Sequence, residues 1–326
     1  MKRRLLEYLC CPRCQANLTL NPLKELDLEI ESGSLSCDRC RRDYEISEGI
    51  PRFVPIELSE KVKLNVNNFG YEWSWLSSIS EKNEIEFRSY LGEILPEGFA
   101  SRVVLDAGCG MGKFLYFTGK YGAKDAIGVD LASGSVERAY KNTMHLENVH
   151  VVQADLLHLP LKRCFDFIYS IGVLHHLAQP EQGFYNLVEY LKSNGKIFAW
   201  VYGYEGNEIY IEFLDPIRKI TCRFPLWLNK GLSAIIASIL WIVIVLIYCP
   251  LEKFKLRGLP FHEYFLYFFK LGFRPFWGTV FDKVIPSISH YYRREEFVSW
   301  FSEARLSQVS IFQRNANSWS GWGVKQ

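Results

Sequence analysis

Three acids and three glycines are the residues whose spacing first suggests chemistry. Val103–Asp106 is an apolar run that ends in an acid, and Gly108, Gly110 and Gly112 follow at alternate positions. Glycines at that spacing let the main chain turn sharply and present only backbone to a ligand. A helix starting at Lys113 would aim its free N–H groups at the same place. The pattern is G-x-G-x-G, not the G-x-G-x-x-G that seats a pyrophosphate, so a dinucleotide is not the first candidate. Asp130 ends a second apolar run, Ala126–Asp130, and Asp155 ends a third, Val149–Asp155. As parallel strands these runs would set all three acids along one sheet edge, where open α/β folds bind ligands. Asp130 would then be placed to accept both hydroxyls of a ribose.

Four cysteines supply a second chemistry. Cys11-Pro12-Arg13-Cys14 and Cys37-Asp38-Arg39-Cys40 are two C-x-x-C knuckles, each able to offer two thiolates from one tight turn. Cys11, Cys14, Cys37 and Cys40 therefore form a closed tetrahedral set suited to structural zinc. Cys10 is an alternate ligand with the wrong partner spacing. Four protein ligands leave no open position for a substrate, so this metal serves folding and docking. Between the knuckles, residues 26–31 alternate apolar and polar, as a strand should.

These groups need elements to hold them. Ile85–Leu95 reads as a short amphipathic helix ahead of the first strand. Phe165–Ile171 reads as a fourth strand, followed by His175 and His176. Gln182–Leu191 reads as a helix and Lys196–Tyr202 as a fifth strand. Lys192-Ser193-Asn194-Gly195 makes the bend before it, Asn being able to take a left-handed conformation. Last strands are expected near Gln308–Arg314 and Trp319–Lys325. The chain has 326 residues, of which 48% are hydrophobic, enough for a large domain and a small one. Its net charge of +2 provides no global field for nucleic acid, despite short basic clusters such as Arg39–Arg42. No secretory signal is read at the N-terminus, and a reducing compartment favours metal over disulfides for the paired cysteines.

The order and spacing of V-L-D-A-G-C-G-M-G, G-V-D, Q-A-D-L-L-H-L-P-L and F-D-F-I-Y-S-I-G-V-L-H-H-L resemble the motifs of class I S-adenosylmethionine-dependent methyltransferases of the type 11 group, over about Arg102–Tyr202. The resemblance implies a Rossmann-like α/β fold with a seven-stranded sheet. It implies that Asp106, Gly108 and Gly110 line the methionine end of the cofactor. Asp130 then holds the ribose and Asp155 with Leu156 flanks the adenine. Cys109, Gly112, Leu131 and Ser170 are the further cofactor positions it implies. His175 and His176 would sit where acceptor meets cofactor, as candidate general bases. The F-G-x-x-W element at Phe69–Trp73 would fold over the cofactor mouth, or else pack between the two domains. No N-P-P-Y or D-P-P-Y follows the fourth strand, which argues against exocyclic or amide nitrogen acceptors. The first fifty residues are similar to the small zinc-binding protein that activates tRNA, rRNA and release-factor methyltransferases, here fused to a catalytic domain.

The expected layout is a zinc ribbon at 1–55, a linker and aromatic cap at 56–101, and a methyltransferase domain at 102–326 with an apolar, mostly helical insertion at 204–290. Leu232–Leu251 carries no charged residue, and as a helix residues 232–249 would span ~27 Å, near the ~30 Å of a bilayer core. Strands expected after the insertion must rejoin the sheet, which opposes a single crossing. The insertion is therefore read as a monotopic or lipid-facing cap over 231–281, a buried lid or a partner interface. From it follow the expectations of a small hydrophobic or lipid-linked methyl acceptor, nucleic acid as an unlikely partner, and a cytoplasmic, peripherally membrane-associated enzyme. Two alternatives stand beside these: an RNA methyltransferase that docks substrate with its ribbon, and a non-catalytic cofactor-binding adaptor.

Overall fold

The computed structural model describes all residues except 27–28, 77–78 and 257. β1 (Thr19–Leu26) and β2 (Glu29–Cys37) pair antiparallel with Leu26 opposite Glu29. The single strand expected over 26–31 is instead divided between β1, which ends at Leu26, and β2, which begins at Glu29, and its residues 27–28 lie outside the described residues. β3 (Arg42–Ser47) and β4 (Ile50–Phe53) complete the ribbon. Then come α1 (Glu60–Trp75), α2 (Glu81–Leu91), β5 (Val103–Ala107), α3 (Lys113–Lys120), β6 (Asp125–Asp130), α4 (Ser133–Thr143) and β7 (Val149–Ala154). β8 (Phe165–Ile171), α5 (Pro180–Glu189) and β9 (Leu191–Tyr202) follow. Within β9, where its pairing with β8 shifts register between Phe165 and Phe167, Asn194 takes φ +62°, the left-handed conformation its sequence allows.

The insertion is helical: α6 (Asp215–Thr221), α7 (Leu226–Val243), α8 (Cys249–Lys253), α9 (His262–Leu271) and α10 (Phe273–Asp282). α11 (Arg294–Glu303), β10 (Leu306–Arg314) and β11 (Ser318–Lys325) close the chain. α7 runs through a π-helical turn into α8, so Leu226–Lys253 is one helix of 28 residues. By length and composition it could cross a membrane, with a mean hydropathy of 2.7 in its most apolar stretch, 22% of which is buried. Ala237 and Ile244 pack with Phe276 of α10, while Ile235, Ile239, Ile242 and Leu246 are exposed. β11 then pairs with β9, so the excursion begins and ends at the sheet.

That sheet has eleven strands in the order β1-β2-β3-β4-β7-β6-β5-β8-β9-β11-β10. The seven strands from β7 to β10 are the sheet expected of the catalytic domain, and the ribbon lengthens it. The junction is a short parallel pairing, Arg52 opposite Gln153 and Phe53 opposite Ala154. Strands β5 and β7 are buried along their whole length, so that Asp106, His150 and Gln153 lie inside among their apolar residues. Ribbon residues Leu9, Ile30 and Phe53 share one hydrophobic core with Val129, Val152 and Leu161.

A buried polar knot pins the two units together. Asp125, at the start of β6, is fully buried and accepts from Tyr8 Oη at 2.5 Å, meets His150 Nε2 at 3.0 Å, and pairs with Arg4 at 2.7 Å. Burial alone would raise its carboxyl, but the bonds from His150 and Tyr8 and the charge of Arg4 outweigh it and hold it below the ordinary 3.8. Burial lowers His150 below 6.5, so the folded state resists the proton that the unfolded chain takes up. Stability should therefore fall as pH drops below about 6.5, and further as it drops through the lowered Asp125 value. Asp125→Ala should cost about 3 kcal/mol by leaving Tyr8 and His150 buried without their partner. Urea unfolding at pH 7 measures this, and a cost under about 0.5 kcal/mol would show the knot to be dispensable.

α1 occupies residues expected to be linker. Ser59 caps it by accepting from the Val62 N–H at 3.4 Å. Two of its three asparagines face inward: Asn65 Nδ2 donates to His176 O, and Asn68 Nδ2 donates to Cys222 O and Ile285 O. They bond loop carbonyls that would otherwise be buried unpaired.

Candidate active site

The carboxyl ends of β5, β6 and β8 open into a cavity of about 790 Å³. Its floor is the glycine loop. Gly108 has φ +89°, and a Cβ there would collide with the side chain of Val173. Gly110 has φ +52°, and a Cβ there would lie 3.2 Å from the Trp73 indole. Trp73 of α1 therefore lies over the loop, on the cavity side, and Phe69 lines the wall beside it. α1 comes this close because Gly70 meets Gly134 of α4 with no side chain between them. Asp130 braces the loop, its carboxylate accepting from the Gly110 N–H at 3.0 Å and the Ala132 N–H at 2.9 Å.

Of the cofactor positions inferred from sequence, Gly108, Cys109, Gly110, Asp130, Leu131, Asp155 and Leu156 line this cavity. Asp106, Gly112 and Ser170 stand behind its wall. Ser170 Oγ donates to Ala107 O at 2.8 Å, which fixes β8 to β5. Gly112, at φ +80°, packs against Ala139 of α4 and sets the start of α3. Asp106 is 2% exposed with one carboxyl oxygen unpartnered among the described residues. Burial pushes its carboxyl up to about 8.

The histidines are placed differently from their expected role. His175 is fully buried, stacked 3.9 Å from the Tyr202 ring centroid, and is not part of the cavity wall. His176 does reach the wall, but its Nδ1 is spent on the carbonyl of Ile288 at 2.7 Å. Burial lowers it to about 3. Burial therefore keeps both rings neutral at neutral pH and makes them weak proton acceptors, and His175 packs away from the cavity.

Beyond the loop the cavity continues to groups that local sequence gave no reason to select. Glu72 of α1 is 2% exposed, and its Oε2 has no partner among the described residues. Asp282 and Lys283, at the end of α10, reach the same space. Tyr202 Oη donates to Asp282 at 3.0 Å, and Lys283 Nζ stands 3.5 Å from the Tyr202 ring centroid. Lys113 donates to both oxygens of Glu86 at 2.9 and 3.0 Å. The only local signal was the Asp-Lys pair itself, close behind a very apolar segment.

The metal centre is compact. The sulfurs of Cys11, Cys14, Cys37 and Cys40 all lie within 4.8 Å of one another and form no disulfide. Cys11 and Cys40 are 3.5 Å apart, Cys14 and Cys37 3.4 Å. Four thiols in mutual contact fit one tetrahedral zinc ion at ~2.3 Å from each sulfur. Cys10 points elsewhere and donates to Gln15 Oε1 at 3.2 Å.

Comparison with known proteins agrees with both units. Residues 105–199 match the family model "Methyltransferase domain", and residues 2–49 match "Trm112p-like protein". A tRNA U34 carboxymethyltransferase of Shewanella pealeana is 30% identical over 112 residues, covering 33% of this chain and 34% of that protein. Its counterpart in Aeromonas salmonicida is 35% identical over 101 residues, covering 30% and 31%. The chain thus spans about one third of the length of the curated relatives it matches. Among solved structures, a complex of the Haloferax volcanii Trm112 methyltransferase activator with a methyltransferase is similar at 13% identity, covering 79% of this chain and 96% of that one with a TM-score of 0.48. An S-adenosylmethionine-dependent methyltransferase from Mesorhizobium loti is 27% identical over 33% of this chain and 49% of that one, with a TM-score of 0.31.

These relatives correct two expectations. The small hydrophobic or lipid-linked acceptor is set aside, as is the exclusion of nucleic acid, because the proteins that match the catalytic segment are named for tRNA. Nor do they support membrane-surface association through 231–281. What misled was hydropathy, since exposed apolar residues on α7 say nothing about what enters the cavity. The chain joins a Trm112p-like zinc-ribbon domain at residues 2–49 to a methyltransferase domain of the class I S-adenosylmethionine-dependent type at residues 105–199.

Proposed function

We propose that this chain is an S-adenosylmethionine-dependent transferase that alkylates a nucleoside in RNA. The observation that carries it is the union, in one continuous sheet, of a Trm112p-like ribbon with a catalytic segment whose relatives are tRNA-modifying enzymes. A cytoplasmic location goes with that chemistry. The functional units are the ribbon over 1–55, the cap over 56–101 and the catalytic domain over 102–326, with 204–290 forming the far wall of the cavity.

Asp130 would hold the ribose hydroxyls of the cofactor, Asp155 and Leu156 would flank its adenine, and Gly108 and Gly110 would receive its methionine end. Asp106 suits that end too, because an ammonium nearby favours the ionised form of a carboxyl that burial keeps protonated. When bound, the cofactor supplies an electrophilic carbon on a sulfonium, so the chain's own task is alignment and proton handling. Trp73 covers the loop and excludes water. Tyr202, Trp200, Tyr264 and Phe268 line the remaining space, giving flat apolar faces on which an unstacked base could lie. On the ribbon, Arg13, Arg39, Arg41 and Arg42 are exposed around the two cysteine knuckles and are available to phosphates.

The test is to incubate purified protein with cofactor labelled on the transferable carbon and with total RNA, small-molecule and lipid extracts. Label should enter RNA, should be released by ribonuclease, and should be lost when RNA is digested beforehand. Label confined to a ribonuclease-resistant fraction would overturn the proposal.

A further inference from the structure

A nucleophile that carries a proton must lose it as it is alkylated, and burial makes the two histidines weak acceptors for it. Besides Glu57, Glu86, Asp130 and Asp155, the cavity holds a set of groups able to do so that the insertion brings there. Asp282 ends α10, Glu72 belongs to α1, and the two helices pack against each other. Asp282 spends one oxygen on the Tyr202 hydroxyl. Its other oxygen has no hydrogen-bond partner among the described residues and belongs to the cavity wall. Glu72, almost fully buried on the wall of the same cavity, holds a carboxyl oxygen with no partner among the described residues. A purely structural carboxyl buried this way would be unfavourable. Two of them on one cavity, beside a lysine, form an arrangement that serves proton transfer in many active sites.

We propose that Asp282 is the proton acceptor for the alkylated nucleophile, with Glu72 as its partner carboxyl, and that the acceptor atom is therefore a hydroxyl oxygen or an imide-type ring nitrogen bearing a hydrogen. This rests on the RNA reading for the acceptor's class, not for the role of Asp282. In the step, the heteroatom's bond to hydrogen opens and its electron pair stays on the heteroatom, which forms the new bond to carbon. The carbon–sulfur bond breaks with its pair left on sulfur, and the proton ends on the free oxygen of Asp282. Tyr202 orients the carboxylate. Lys113 and Lys283 set its charge state, Glu72 shares the cluster, and Tyr90, Tyr210, Tyr264, Arg218, His175 and His176 are further titratable or charged groups whose fields reach it. Burial raises Asp282 above 3.8, with Lys283, Tyr202 and Lys113 acting against the rise, and burial lowers Lys283 to about 8. The rate should therefore climb with pH as Asp282 ionises.

Single-turnover transfer to RNA, measured from pH 5.5 to 9, tests this together with binding of S-adenosylhomocysteine by calorimetry. Asp282→Asn should slow transfer about 100-fold and erase the acid limb, with affinity for S-adenosylhomocysteine kept within about threefold. Asp282→Glu should recover part of the rate. Glu72→Gln should leave the acid limb largely in place, since burial and the Asp282 charge raise the Glu72 carboxyl and let it keep its proton. An Asp282→Asn enzyme with the parental rate or an unchanged acid limb would overturn the proposal. Infrared difference titration of wild type against Asp282→Asn provides a readout that needs no acceptor. A carboxyl band that titrates on the acid side of neutrality and vanishes in the variant supports the role, and its absence overturns it. Failure of the wild type to label RNA would instead remove the proposed acceptor class and leave the carboxyl titration to decide on Asp282.

Discussion

Stripping the metal, or replacing Cys37 by Ser, should unfold the ribbon and weaken the catalytic domain with it. Structural zinc supplies on the order of 10 kcal/mol to small four-ligand domains. The ribbon has little to replace it, because β1 is largely exposed and much of its core is borrowed from the neighbouring domain. The connection to the catalytic unit is extensive. Cys10 N–H donates to Pro160 O at 2.9 Å, Lys162 N–H to Tyr8 O at 2.8 Å, and Arg52 to the Gln153 side chain at 2.8 Å. Gln153 lies on β7, two residues before Asp155 on the cavity wall. Metal loss should therefore travel from the knuckles through β4 to β7 and the adenine end of the cavity.

The expected result is a fall in Tm of about 10 °C or more on treatment with a strong chelator, with weaker binding of S-adenosylhomocysteine and recovery when zinc is returned. Cys37→Ser should behave like the chelated protein, while Cys10→Ser should change Tm by only a few degrees because Cys10 is not a ligand. An unchanged Tm after verified metal removal would mean that the ribbon stands on its apolar contacts alone.

The same junction marks where sequence was silent. The catalytic strands were legible because buried parallel strands are mostly apolar runs, and the ribbon was legible because cysteine knuckles have a fixed spacing, although its four strands were not. Their union is not, since the Arg52–Gln153 and Phe53–Ala154 pairing is two residues long and parallel pairing leaves no local pattern. A seven-stranded sheet thus became one of eleven strands. α1 was obscured for a related reason. Asn65 and Asn68 look like linker residues, yet both are buried and bond carbonyls far along the chain. The cofactor end of the cavity was readable from Gly108, Gly110 and Asp130, which belong to one short βαβ unit. The acceptor end was not, because Glu72, Tyr202 and Asp282 meet only after an excursion of about eighty residues returns to the sheet. The His pair shows the limit of residue type, which offers an imidazole, while burial and the carbonyl of Ile288 set how strong a base it is.

Asp130→Ala should lower affinity for S-adenosylhomocysteine at least 100-fold while leaving the protein folded. Two charge-assisted bonds to ribose hydroxyls at ~1.5–3 kcal/mol each account for a loss of that size. The aspartate has a second duty, since it already accepts from the N–H groups of Gly110 and Ala132. Alanine would remove both functions, so the comparison with Asp130→Asn is decisive. The amide oxygen of asparagine can keep one backbone bond and preserve the loop, but it cannot present an anion to two hydroxyls. If ribose recognition dominates, Asn should bind nearly as poorly as Ala. If bracing dominates, Asn should recover most of the affinity. Gly110→Ala tests the loop from the other side: at φ +52° and 3.2 Å from Trp73, the added methyl strains the turn and presses on the indole above it. It should also weaken binding, and it should change the fluorescence of Trp73 before any ligand is added. Parental affinity in Asp130→Ala would place the ribose elsewhere along the sheet edge, where Asp155 is the remaining strand-end acid on the cavity wall.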